Sequence, residues 1–181
     1  SVPGQHNVLN ALACISICTE YGISKNDIKI ALSRFTGAHR RFEYKGKIDG
    51  KASVYDDYAH HPTEIIATAK ALSNKKYSKS WVIFQPHTYS RTKNLLDDFA
   101  SALINFDNII ILDIYAAREK NTYNISSNDL VEKISLLGKT AKYIPDFDEC
   151  SSYVKSHVNN NDIVITLGAG TVTKIGPMLV D

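Results

Sequence analysis

The stretch 53-SVYDDYAHHPTEIIATAK-70 decides the fold: a strand-like run, a tight polar cluster, then a proline that opens a helical repeat. The same order recurs downstream. WVIF (81–84), NIIIL (108–112) and IVITL (163–167) are nearly continuous apolar runs, as strands buried on both faces require. Helices are expected over 62–74, 90–104, 127–137, 147–158 and 171–179, with strands over 81–85, 108–113, 141–144 and 162–167. Alternating βα units predict an α/β domain, a Rossmann-like, mostly parallel sheet flanked by helices. Just upstream, RFEYKGKIDGKASVYDDY (41–58) reads as two or three short strands with a turn at Asp49-Gly50. Further upstream, 6–22 and 25–34 have apolar positions at helical spacing, with Gly22 ending the first helix and Ser24 capping the second. Such a helix pair is too small to bury a core. With a start at Ser1 and no initiator Met, the chain is expected to be a piece of a longer protein.

Bulk composition narrows the function classes. The 181 residues are 44% hydrophobic and 22% charged with a net charge of +2, which suits a water-soluble globular protein. No Lys/Arg run makes a nucleic-acid footprint. No apolar run approaches the roughly 18 residues of a membrane span, and no signal pattern opens the chain, so a cytoplasmic location is expected. Cys14, Cys18 and Cys150 lack the partners a zinc site needs and are expected to be buried, reduced thiols; no metal site is expected within the chain.

In an open parallel sheet, ligands bind outside the carboxyl ends of the strands. The polar clusters DDYAHH, QPHTYSR, DIYAARE and LGAGT each follow a strand, whereas the helix-to-strand connections carry plain lysines and serines. Asp57, His60, His87, Arg91, Glu119 and the glycines should therefore converge on one edge. Asp57 suits ribose hydroxyls, while Asp56 reads as solvating a strand end. Pro62 and Glu64 read as a helix start. His60 and His61 are adjacent and cannot share a helical face as paired metal ligands do, so His60 is either an anion contact or packing. Arg91 would lie in the first turn of its helix, where the dipole opposes a cation, and so reads as facing an anion. Two phosphate-loop look-alikes are set aside. Gly138-Lys139-Thr140 leads into a strand, and Gly168-Ala169-Gly170-Thr171 lacks the third glycine of a dinucleotide fingerprint and reads as a tight turn or substrate contact.

The ordered segments GQHNVLNALA (4–13), HRRFE (39–43), DDYAHHPTEI (56–65), FQPHTYSRT (84–92), DIYAARE (113–119) and LGAGT (167–171) resemble the Mur ligases. Among these, the members that join L-alanine to UDP-N-acetylmuramate are most similar. The resemblance implies that residues 1–40 end a central ATP-binding domain and 41–181 form the C-terminal domain. It implies ATP and Mg²⁺ as co-substrate and cofactor, upstream domains of the same polypeptide as partners, and an acyl-phosphate intermediate in peptidoglycan synthesis. The phosphate loop and Mg²⁺ ligands would lie upstream, so the isolated chain is expected to be inactive. Carried over by position, His6, Asn7 and Asn10 resemble the adenine contacts, and Arg41 the arginine approaching the phosphates. Asp57 resembles the ribose acid, and Tyr58 and His60 the crevice wall. His87 and Arg91 resemble groups beside the amino acid and acyl phosphate. Thr88 departs from the pattern, since some members have Arg there. A tripeptide-recycling ligase, a non-catalytic dinucleotide-binding module and a protein-interaction domain are the alternatives.

Overall fold

A computed structural model describes residues 5–35 and 37–180; Ser1–Gly4, Thr36, Asp181 and the side chains of Gln5 and His6 lie outside the described residues. The chain divides into two compact units at His39/Arg40. The first holds α1 (Gln5–Glu20) and α2 (Lys25–Arg34). Gly22 takes φ 74° in the turn, and the Ser24 hydroxyl accepts from Asp27 N at 3.2 Å to cap α2. Two helices cannot cover their own apolar side chains, and Val8, Leu9, Leu12 and Ile17 are exposed. For the same reason Cys14 is exposed and Cys18 half-buried, their sulfurs 3.9 Å apart, against the expectation of buried thiols; Cys150 alone meets it.

In the second unit, β1 (Glu43–Ile48) and β2 (Ala52–Asp57) form an antiparallel hairpin. Its turn places Asp49 at φ 46° and Gly50 at φ 68°, the two left-handed positions that suit strand twist. There follow α3 (Pro62–Ser73), β3 (Ser80–Phe84), α4 (Tyr89–Asn94), α5 (Leu96–Leu103), β4 (Asn108–Ile111), α6 (Ser127–Leu136), β5 (Ala141–Tyr143), α7 (Phe147–His157), β6 (Ile163–Leu167), a 3-10 turn (Thr171–Lys174) and α8 (Ile175–Leu179). The six strands run in the order β1-β2-β6-β3-β4-β5, parallel except for β1. Strand alternation builds two cores. Val82, Phe84, Ile163, Ile165 and Leu167 pack with Ile65, Phe99, Leu103 and Leu130 of α3, α5 and α6. Trp81, Ile83 and Val164 pack on the other face with Val154, Ile175 and Leu179 of α7 and α8.

The last strand thus lies between β2 and β3. Its outgoing chain turns to the α8 face, whereas those of β2 and β3 turn to the opposite face. That divergence opens a crevice at the carboxyl edge, the place where α/β sheets hold ligands.

The helix expected over 90–104 is broken. Leu95 leaves the helical region at φ −117°, ψ 23°, and the Thr92 hydroxyl bonds back to Thr88 O at 2.7 Å, which bends such a turn. The helix expected over 171–179 starts as the 3-10 turn, because Val172 N is drawn to Gln85 Oε1 at 2.9 Å.

Candidate functional site

Beneath the crevice lies a charged floor. Asp56 is fully buried. Its Oδ2 meets Arg40 Nε at 3.2 Å and accepts from Thr173 Oγ1 at 2.8 Å, while Oδ1 accepts from Thr166 Oγ1 at 2.5 Å. Arg40 Nη2 also donates to Gly168 O at 2.5 Å. This corrects the reading of Asp56 as a solvated strand end. One ion pair ties the start of the unit, β2, β6 and the turn after β6 together.

Asp57 points under α3. Its Oδ1 accepts from Ala59 N at 3.1 Å and its Oδ2 from Thr68 Oγ1 at 2.9 Å. Burial pushes its carboxyl above the ordinary range, and those two hydrogen bonds pull it only part of the way back. A ribose hydroxyl reaching Asp57 would have to share an oxygen already held.

The loop after β2 carries Tyr58 and His60. The Arg40 and Arg41 guanidinium carbons lie 4.8 and 5.7 Å from the Tyr58 ring centre. Arg40 is only 13% exposed and committed to Asp56, whereas the Arg41 side chain is 51% exposed, with only Glu64 at 4.0 Å as ion partner among the described residues. Of the two arginines, Arg41 is the one open to a ligand. Glu64 Oε2 accepts from the backbone of His60 (2.9 Å) and of His61 (3.2 Å), with the His61 ring capping α3 in the place of the usual hydroxyl. His60 Nδ1 lies 3.0 Å from Tyr58 O, which can only accept, so Nδ1 carries the proton and Nε2 is left for other partners.

After β3 the chain brings in His87 and Arg91. Aromatic rings run across three strand ends: Tyr58 to His60 at 5.3 Å, His60 to His87 at 6.0 Å, and His87 to Tyr115, beyond β4, at 5.5 Å. Two buried polar atoms beside this row, His87 Nδ1 and Arg91 Nη1, have no hydrogen-bond partner among the described residues. A buried guanidinium N–H without an acceptor costs about 1–3 kcal/mol or more. Asn108 Nδ2, at the start of β4, is unpartnered too, so it is their place at the strand exits that makes His87 Nδ1 and Arg91 Nη1 candidates to meet an anion or polar ligand. The dipole basis for Arg91 does not hold, because α4 has six residues and Arg91 belongs to its last turn as much as its first. The unpartnered atom takes its place as the reason.

The 168–170 turn is a close-approach turn. Gly168 sits at φ 146°, and a Cβ there would lie 2.8 Å from Gln85 O. At Gly170 a Cβ would meet Gln85 Oε1 at 2.5 Å and Tyr115 Cγ at 2.7 Å. Gly168→Ala is therefore expected to destabilise the domain by about 2–3 kcal/mol, read as a lower urea midpoint with unchanged slope.

The structure thus brings Tyr58, His60, His87 and Arg91 to one edge, with Arg41 beside Tyr58 and Asp57 just beneath. His6, Asn7 and Asn10 belong to α1 in the first unit; Asn10 is exposed, and the His6 side chain lies outside the described residues. Arg40, Gln85 and Tyr115 were not singled out from sequence, and Asp56 was read only as a solvated strand end. Only the strand-end position of Asp56, Gln85 and Tyr115 marked them.

Comparison with known proteins bears directly on this arrangement. Residues 40–170 match the glutamate ligase domain of the Mur ligases. The chain belongs to the Mur ligase family. It is 51% identical over 177 residues to the UDP-N-acetylmuramate–L-alanine ligase of Acetivibrio thermocellus, an overlap of 98% of this chain but 38% of that relative. The crystal structure of the UDP-N-acetylmuramate–alanine ligase of Thermotoga maritima matches with a TM-score of 0.80 at 29% identity, over 98% of this chain and 37% of that one. A murein peptide ligase from Psychrobacter arcticus matches with a TM-score of 0.71 at 24% identity, over 99% of this chain and 37% of that one, and shows the fold alone.

Within this Mur ligase domain, the surroundings of His87 favour its neutral form. Burial, then the charges of Arg91 and His60, lower its pKa from the ordinary 6.5, with Glu119 opposing them. Its imidazole is neutral at pH 7 and can bond a ligand without repelling Arg91. The unfolded chain takes up the His87 proton at the ordinary value and the folded chain only at lower pH. The unfolded state therefore binds more protons in that window, and stability falls as pH drops below 6.5. His87→Gln is expected to flatten this part of the urea-derived stability profile between about pH 7 and 5; an unchanged slope would place His87 outside the buried cluster.

Proposed function

We propose that the chain is the C-terminal part of an ATP-dependent ligase that joins L-alanine to UDP-N-acetylmuramate, an early amide-forming step of peptidoglycan synthesis carried out in the cytoplasm. The observation that carries the reading is the pair of buried, unpartnered atoms, His87 Nδ1 and Arg91 Nη1, at the switch crevice of a domain with a 51% identical L-alanine ligase relative. In this chemistry ATP converts the sugar carboxylate to an acyl phosphate, the amine of L-alanine attacks, and the tetrahedral adduct expels phosphate. Negative charge develops on oxygens throughout, so a guanidinium held at the crevice serves it better than water. Arg91 supplies that group through a planar fork suited to carboxylate or phosphate. His87 and His60 Nε2 would orient the incoming amine and the acyl oxygens. Arg41 and Tyr58, with Asp57 beneath them, form the nucleotide side, and the resemblance of their segment assigns His6, Asn7 and Asn10 to adenine. The family resemblance assigns the residues that bind Mg²⁺ to the upstream domains of the longer ligase. Bound there, Mg²⁺ would neutralise phosphate charge.

The test is ADP release by the longer ligase with ATP, UDP-N-acetylmuramate and either L-alanine or the L-Ala-D-Glu-diamino-acid tripeptide. Release that depends on L-alanine supports the assignment, and release with the tripeptide alone replaces it with the recycling reaction. This chain by itself is expected to release none.

A further inference from the structure

We propose that Glu119, on the loop after β4, positions Arg91 for the reaction by gripping Ser90. The inference rests on the reading of Arg91 given above. Ser90 N donates to Glu119 Oε2 at 2.9 Å and Ser90 Oγ to Oε1 at 2.5 Å, so both carboxylate oxygens hold the residue next to Arg91. The loop is joined to the β3 exit at two further points. Tyr115 N donates to Pro86 O at 2.8 Å, and Thr88 N to Tyr115 O at 2.9 Å. Glu119 N bonds Ala116 O at 2.9 Å, which closes the loop on itself and fixes the carboxylate's base.

The grip has something to hold against. Thr88 lies at φ 66°, ψ 144°, a conformation that a β-branched residue leaves unless both flanks are restrained. Upstream the restraint is Thr88 N on Tyr115 O; downstream it is Ser90 on Glu119, beside the helical bonds of Thr92 N and Oγ1 to Thr88 O at 3.2 and 2.7 Å, which turn with α4 and do not fix its direction. The Thr88 side chain adds little, since its oxygen is 3.4 Å from Arg91 N. A six-residue helix broken at Leu95 has no length with which to set its own direction. Release of Ser90 lets Thr88 relax to negative φ, and the first turn of α4 rotates and takes the Arg91 side chain out of the crevice. Glu119 acts by positioning Arg91, beside the electrostatic pull that its carboxylate exerts on His87.

The experiment compares Glu119→Ala and Glu119→Gln in the longer ligase, alone and on Arg91→Ala. Glu119→Ala is expected to lower kcat about tenfold or more with the KM for ATP within about twofold. Glu119→Gln, whose amide oxygen accepts from Ser90 N and whose NH₂ can donate to Ser90 Oγ, is expected to recover most of the loss. On Arg91→Ala, Glu119→Ala should cost little more, because one effect passes through the other. In this chain, the Arg91 Nε–H resonance should move in Glu119→Ala and return in Glu119→Gln. If Glu119→Ala does not fold, Ser90→Ala, which removes one of the two bonds, replaces it with a smaller loss of kcat. Normal kcat in Glu119→Ala, beside a strong loss in Arg91→Ala, overturns the positioning role and leaves the reading of Arg91 standing. Normal turnover in Arg91→Ala overturns both.

Discussion

Arg91→Ala in the longer ligase is expected to cut kcat by about 10²- to 10³-fold while the KM for ATP stays near its starting value. The size follows from what Arg91 offers: a guanidinium whose buried Nη1 has no acceptor among the described residues. An interaction withheld from the folded protein and made to a developing oxyanion contributes to the transition state rather than to stability. Arg91→Lys should restore only part of the rate, since a point charge lacks the two-pronged geometry. The same logic gives the stability change an unusual sign. Truncation removes a buried, unsatisfied N–H, so the urea midpoint of Arg91→Ala should stay level or rise. A variant that loses stability and rate together would make Arg91 a structural residue.

Arg40→Ala is expected to lose about 3–5 kcal/mol of folding free energy, the cost of leaving a buried partner charge uncompensated. Asp56 is fully buried, and without Arg40 only the hydroxyls of Thr166 and Thr173, among the described residues, bond its carboxylate. Gly168 O loses its donor in the same step. Asp56→Asn on the Arg40→Ala background should recover part of the loss, because a neutral amide no longer needs the cation. Arg41→Ala is the control one residue away. Its side chain is half-exposed and its ion pair with Glu64 spans 4.0 Å, so the change in stability should stay below about 1 kcal/mol. Equal losses from the two arginines would contradict the division of labour between them.

The contrast between Arg40 and Arg41 shows where sequence reading stops. The adjacent arginines of HRRFE are chemically identical on paper. Which one turns inward depends on the left-handed Arg40 backbone, φ 57°, and on a buried aspartate across the hairpin. The apolar strands needed no such knowledge. WVIF and IVITL are buried along their whole length, as a strand covered by helices on both faces must be, and this carried the fold class. The crowding of polar residues at strand exits was legible for the same geometric reason and brought His60, His87 and Arg91 into view. Non-local effects were out of reach. The insertion of β6 between β2 and β3 is a matter of pairing partners, and the break at Leu95 lies inside a run with good helical spacing. The hold of Glu119 on Ser90 joins residues 29 apart. Asp56 looked like a solvated strand end because its three partners lie in distant segments of the chain.

The most direct measurement is a crystal structure of the longer ligase with ADP and a phosphinate analogue of the tetrahedral adduct. An anionic oxygen of the analogue is predicted within hydrogen-bonding distance of Arg91 Nη1, with a second polar atom of the ligand on His87 Nδ1. An analogue seated elsewhere, with both of these atoms bonded only to protein or water, would contradict the account.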